Sequence, residues 1–215
     1  MLDTAQIALI ASGPLVGAIS QRLAEYVARD EQIDVKDRWV RYLVATGFGL
    51  VVPIWVAVLP PHVHFVGCVL GWLLLAISMA DWATMLIPRW MTFALILSGL
   101  ATTWALTPDA FHMHTFAALL SWTSFQLITR AYRNFRGKDG LGAGDAVLIA
   151  GSGAWVGLSA LPGLVVLAAV MGLLTHLAFG AFARSGLSLA HRMPFGPFLA
   201  IATWLTWAVG PLEFG

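Results

Sequence analysis

An all-α, polytopic membrane bundle of about eight transmembrane helices is predicted by three features of the sequence. Of the 215 residues, 59% are hydrophobic and 11% charged, with a mean hydropathy of +0.81, which lies outside the range of soluble domains. The apolar residues fall into runs long enough for the roughly 30 Å hydrocarbon core, which takes about 20 helical residues to cross. All twelve Lys and Arg residues lie in alternate connections between those runs. No repeat, low-complexity tract or soluble segment interrupts the pattern, so residues 1–215 read as one integral-membrane domain. A net charge of +1 with no basic face excludes nucleic acid as a partner.

The predicted spans are 4–21, 40–60, 63–81, 91–107, 112–129, 145–160, 163–183 and 195–211. The first carries Gln6, Ser12, Gly13 and Pro14, and an acid, Asp3, precedes it where a cleaved signal peptide would have a basic region. "PPHVH" separates the second span from the third, which contains the lone cysteine, Cys68. One cysteine provides neither an internal disulfide nor a multi-cysteine zinc site, so Cys68 reads as a small buried hydrophobe. "TPDAFHMH" joins the fourth and fifth. The apolar run from Asp145 to Phe182 is too long for one span, and "SALPG" at 159–163 supplies the break, since Pro and Gly punctuate helices. Gly-rich "GSGAWVG" at 151–157 reads as close helix packing, and Trp39, Trp90 and Trp207 near span ends suit aromatic belts.

Orientation follows from the basic residues. Arg22, Arg29, Lys36, Arg38 and Arg41 fall in the first loop, Arg89 in the third, Arg130, Arg133, Arg136 and Lys138 in the fifth, and Arg184 and Arg192 in the seventh. The intervening loops and both termini have none. The positive-inside rule then puts the odd loops in the cytoplasm and both termini outside.

Of eleven acids, nine lie in loops or tails, where solvation explains them. Asp81, at the end of the third span, and Asp145, at the start of the sixth, remain, and the topology puts both at the cytoplasmic edge of the membrane. An acid at membrane depth costs about 2.5 kcal/mol or more and is a functional suspect. Two readings of Asp145 stay open: a helix N-cap, worth roughly 1 kcal/mol, and a catalytic group. Two carboxylates that approach each other in a poorly solvated site share one proton. That is the chemistry of an aspartic protease, in which the ionised member activates a water while the protonated member polarises the scissile carbonyl. Gly142 and Gly144, lacking Cβ atoms, permit the turn into the helix and a close approach of substrate or a neighbouring helix.

His62/His64 and His112/His114 sit on the outer side and could meet around a metal, although Asp109 is the single acid near them. His176, inside the seventh span, is expected to hydrogen-bond within the bundle. No cofactor is called for.

"GLGAGDAVLIAGSGAWVG" resembles the second signature of the type IV prepilin peptidases, membrane aspartic proteases of the G-x-G-D class. "MADWATMLIPRW" resembles their first, an Asp followed seven residues later by Pro, and "MPFGPFLAIATW" their C-terminal motif; "GPLVGAISQRLAEY" is similar to their first helix. The resemblance implies Asp81 and Asp145 as the catalytic pair, supported by Pro88, Gly142, Gly144, Pro194, Gly196 and Pro197. It also implies type IV prepilin or pseudopilin precursors as partners, and a place in the bacterial inner membrane with the site facing the cytoplasm. Two departures stand out. "RLAEYVARDEQIDVKDRWVR" replaces the cysteine-bearing zinc insert that accompanies N-methylation in full-length members, and Val147 stands where the family usually has Lys. A presenilin-like protease, a proton-coupled carrier and a catalytically silent pilus or secretion assembly scaffold are the rival readings. The first lacks its Tyr-Asp and Pro-Ala-Leu marks here, and a carrier would place its charges nearer the midplane.

Overall fold

The computed structural model describes residues 4–31, 38–136, 142–182 and 193–210. Eight helices follow in order: α1 (Thr4–Asp30), α2 (Arg38–Val56), α3 (His64–Thr84), α4 (Arg89–Leu106), α5 (Phe111–Arg136), α6 (Ala143–Val156), α7 (Leu161–Phe182) and α8 (Gly196–Val209). No strand occurs among the described residues. By length and composition, four stretches are long and apolar enough to cross a membrane: Thr4–Asp30, Trp39–Val56, Pro61–Thr84 and Leu161–Ala178. α6 and α8 have 14 residues each, about 21 Å of helix, and lie toward the inside of the bundle. Leu97, Leu173, Leu174 and many other large apolar side chains are exposed on its outside. Such a continuous apolar exterior suits lipid rather than water. The chain is an integral membrane protein.

α3, α6 and α8 form the centre. Leu70, Ile77, Leu148, Ile149 and Leu199 are buried there together with Leu95 of α4. Small residues in α6 let its neighbours come close, as expected for "GSGAWVG": Gly151 faces Leu95 of α4, and Gly153 faces the backbone of Ala117 in α5. Polar ties reinforce the contacts. Trp155 Nε1 donates to the Leu95 carbonyl at 2.9 Å, Ser121 Oγ to the Ile149 carbonyl at 3.3 Å, and the Ser152 and Thr203 hydroxyls lie 2.7 Å apart between α6 and α8. α1 and α2 form a hairpin beside this core. Gly13 meets the backbone of Gly49, and Gly17 that of Ala45, at distances that admit no side chain. Ala24 and Ala45 then pack on Leu75 and Met79 of α3.

The helix count agrees with the eight expected spans, but several boundaries move. α1 continues to Asp30, nine residues beyond the apolar run, because Arg22, Leu23, Ala24 and Glu25 are good helix formers whether or not lipid surrounds them. The expected long charged first loop is therefore mostly helix, and its remainder, residues 32–37, lies outside the described residues, as do Lys138, Arg184 and Arg192. α3 runs one turn past Asp81, and α6 starts two residues before Asp145. Pro14 sits inside α1 without ending it. His176 departs from expectation: its Nε2 is buried and has no hydrogen-bond partner among the described residues.

Candidate active site

Asp81 lies in the last turn of α3 and is 5% exposed. The helix stops one turn later at Met85, whose φ of 54° and ψ of 26° place a side-chain-bearing residue in the left-handed region. Such a residue costs about 1 kcal/mol or more and persists where its surroundings impose it. Here the Met85 N–H closes the helix on the Asp81 carbonyl at 2.8 Å, and the Thr84 hydroxyl accepts from the Leu86 N–H at 3.1 Å. The sharp stop turns the chain through Ile87 to Pro88, the extended N-cap of α4. From across the bundle, the N–H of Gly196 donates to Asp81 Oδ2 at 2.8 Å. Gly196 is the first residue of α8, so the partial positive charge of a helix start faces the carboxylate. No side chain fits at Gly196, because a Cβ would sit 2.6 Å from Oδ2.

Asp145 is held differently. Gly142 is the N-cap of α6, with φ −66° and ψ 139°, so the cap reading of Asp145 is corrected: the Asp is the third helical residue. Its backbone N–H reaches the Gly142 carbonyl at 3.1 Å, while its carboxylate turns back over Gly142. An acid at this third position faces the free N–H groups of the helix start, as in a capping box. Gly144 lies against Ile87 of the α3–α4 turn, where a Cβ would approach the Ile87 Cβ to 3.0 Å. That contact packs the two carboxylate-bearing segments against each other.

Both carboxylates line one cavity of about 1160 Å³. Gly142, Gly144 and Pro194 line it too, as does Val147. Pro88 and Pro197 are placed next to the cavity, as the N-cap of α4 and within the first two positions of α8. Sequence reasoning did not single out Met85, Ile87, Trp122, Gln126 or Met193, and counted Arg89 for its charge alone, yet all six are part of the wall. Arg89 had the one available signal, a cation directly after Pro88.

At the opposite end, His64 and His114 are occupied by the bundle. His64 Nε2 lies 2.7 Å from the Leu59 carbonyl oxygen, and His114 Nδ1 lies 3.0 Å from that of Ala154 and 3.3 Å from the Thr103 hydroxyl. Among the described residues no three His, Cys, Asp or Glu side chains gather as a metal site.

Comparison with known proteins bears on this arrangement. Residues 68–177, which span α3 to α7 and contain both aspartates, match the type IV leader peptidase family. The chain is 36% identical over 127 residues to a prepilin leader peptidase/N-methyltransferase of Dickeya chrysanthemi, covering 59% of this chain and 44% of that protein. It is 31% identical over 142 residues to a protein of the same description from Dichelobacter nodosus, covering 66% and 48%. It is 38% identical over 117 residues to leader peptidase HopD of Escherichia coli, covering 54% and 75%. The match thus spans less than half the length of the two-function relatives and three quarters of HopD. No solved structure matches the chain. With a family match over half the sequence, placed on the segments that bring Asp81 and Asp145 to one cavity, the chain belongs to the type IV leader peptidase family.

Proposed function

We propose that this protein is an aspartic endopeptidase of the G-x-G-D kind that removes the basic leader from type IV prepilin-like precursors. In this reading residues 1–215 act as one domain of the bacterial inner membrane, with the site at the cytoplasmic face, where the positive-inside rule puts Arg22, Arg29, Arg41 and Arg89. The observation that carries the proposal is the convergence of two carboxylates, 64 positions apart in sequence (145 − 81), on one cavity. The named relatives support the substrate class.

In the reaction the pair holds one proton. A water oxygen attacks the scissile carbonyl carbon as its proton passes to the ionised carboxylate, and the protonated carboxyl gives its proton to the carbonyl oxygen. The tetrahedral intermediate collapses as the amide nitrogen takes the proton of the protonated carboxyl and the C–N bond breaks, while a hydroxyl of the intermediate returns its proton to the other carboxylate, so the acid product leaves a pair that again holds one proton. The dyad titrates as a unit, so the two roles belong to the pair. The Gly196 N–H fixes the Asp81 carboxylate, and Gly144 lets the α3–α4 turn at Ile87 pack closely on the start of α6. Asp81→Asn and Asp145→Asn should each lower cleavage of a prepilin by at least about 100-fold, the usual scale for acid–base groups, while still inserting in the membrane. A mobility shift of the processed pilin on a gel reads the result, and near-normal processing by either variant overturns the dyad and favours the scaffold.

Cleavage by two carboxylates and water needs no thiolate or nucleotide-like cofactor. The segment from Gln21 to Arg41 contains no Cys and no His, where a structural zinc site needs about four such ligands. The mature pilin should therefore keep a free α-amino group. Mass spectrometry of a pilin processed by this protein alone checks it, and a gain of one methyl group would overturn it.

A further inference from the structure

The cavity that holds the two aspartates continues well beyond them. On α4 it is lined by Arg89, Thr92, Ile96 and Leu100, successive turns of one helix face, and on α5 by Thr115, Ala118, Trp122 and Gln126, again one face. Each stripe covers eleven residue steps, about 16 Å of helix. Both helices pack on α6, whose Val147 and Ala150 form the floor between them. Far from the aspartates, the Thr103 hydroxyl, His114 Nδ1 and the Ala154 carbonyl tie α4, α5 and α6 together and close the groove. Toward the aspartates it widens. Phe93 and Leu119, also on its walls, are 55% and 59% exposed, so the groove opens sideways to lipid.

Three features select its occupant. The volume, about 1160 Å³, exceeds the range of small-molecule pockets, roughly 300–1,000 Å³. Ala118, Gly144 and Ala150 expose little side chain toward the groove, as surfaces do where a second helix approaches closely in a membrane. The groove is also continuous with the carboxylate pair, so whatever lies along it presents its end to them.

We propose that the groove between α4 and α5 seats the apolar helix of the precursor, with its first turns against α6 and the peptide bond that precedes them between Asp81 and Asp145. This rests on the peptidase reading. The groove covers about eleven residues of such a helix, roughly half the hydrocarbon core, and leaves the remainder in contact with lipid. Ala118 and Ala150 then act as depth gauges: bulk there pushes the helix outward and moves the scissile bond off the pair.

A photo-crosslinking experiment tests this. Benzoylphenylalanine is placed at Phe93 or Leu119 in the groove, and at Leu173 or Leu174 on the outward face of α7, in a chain carrying Asp81→Asn and Asp145→Asn so that a type IV prepilin is bound and not consumed. Adducts to the prepilin's apolar helix are expected from positions 93 and 119 and not from 173 and 174. In the otherwise native chain, Ala118→Phe should lower prepilin cleavage at least about tenfold through KM, and Leu174→Phe less than twofold. Equal adducts at all four positions, or lipid adducts alone at 93 and 119, overturn the groove. Cleavage of the same prepilin by the native chain is measured in parallel: if it proceeds, the peptidase reading survives that loss, and if it does not, both fall.

Discussion

Asp81 and Asp145 each face the start of a helix, but the helix starts come from different distances. Asp145 lies over Gly142, in its own turn. Asp81 accepts a hydrogen bond from the N–H of Gly196, 115 residues further along the chain. The local arrangement forms whenever α6 forms. The long-range one exists only when α8 is seated on α3, and it is the more demanding: Gly196 has no room for a Cβ, whereas at Gly142 a Cβ would stand 3.1 Å from Asp145 Oδ2, in contact with a side chain that can turn away. One half of the site is thus built by helix-end chemistry and the other by tertiary packing.

The largest expected effect comes from attacking the long-range half. Gly196→Ala forces its new methyl into Asp81 Oδ2, displacing either the carboxylate or the start of α8. A misplacement approaching 1 Å costs about 100-fold in rate, and that loss is expected in kcat for prepilin cleavage. A loss below threefold would mean that the Gly196 bond does not set the geometry. Next is the seam between the halves. Gly144→Ala presses on Ile87 and shifts the start of α6 by a few tenths of an ångström, for an expected loss of about tenfold in the same assay. Gly144→Ala together with Ile87→Val should recover part of it, and no recovery would show that the contact does not govern the spacing. Smallest is the local half. Gly142→Ala keeps the N–H and exchanges one N-cap for a poorer one, at about 0.5–1 kcal/mol, so rates should fall about threefold. A loss as large as that of Gly196→Ala would erase the distinction between the two supports.

The same contrast explains what could be read in advance. Eight apolar runs with basic residues in alternate connections were enough to count the helices and to bring Asp81 and Asp145 to one end of the bundle. Glycines next to an acid at a helix start were enough to single out Gly142 and Gly144, whereas Gly196 came only from the resemblance of "MPFGPFLAIATW" to a family motif. Local rules did not reach further. The Asp145 cap was misplaced by three residues because "GLGAGD" offers several starts and local rules do not choose among them; in the fold Gly142 is the cap and Gly144 packs on Ile87. Met85 gave no sign of its left-handed backbone, since nothing in "ATMLIP" demands one. α1 outran its apolar run because hydropathy marks lipid contact and not the end of a helix. The groove was illegible because it is a space left by α4 and α5 as both lean on α6, and no residue's identity records the angle between two helices.

The Gly196 bond also orders events in time. During synthesis Asp81 leaves the ribosome 115 residues before the N–H that will hold it, an interval on the order of ten seconds at about 5–20 residues per second. Until α8 arrives, a growing chain can have α3 and α6 in the bilayer, with both aspartates present, and still lack the fixed pair. Seating α8 on α3 is therefore the step that completes the pair, and a chain stalled before residue 196 would carry both aspartates without the bond that fixes Asp81.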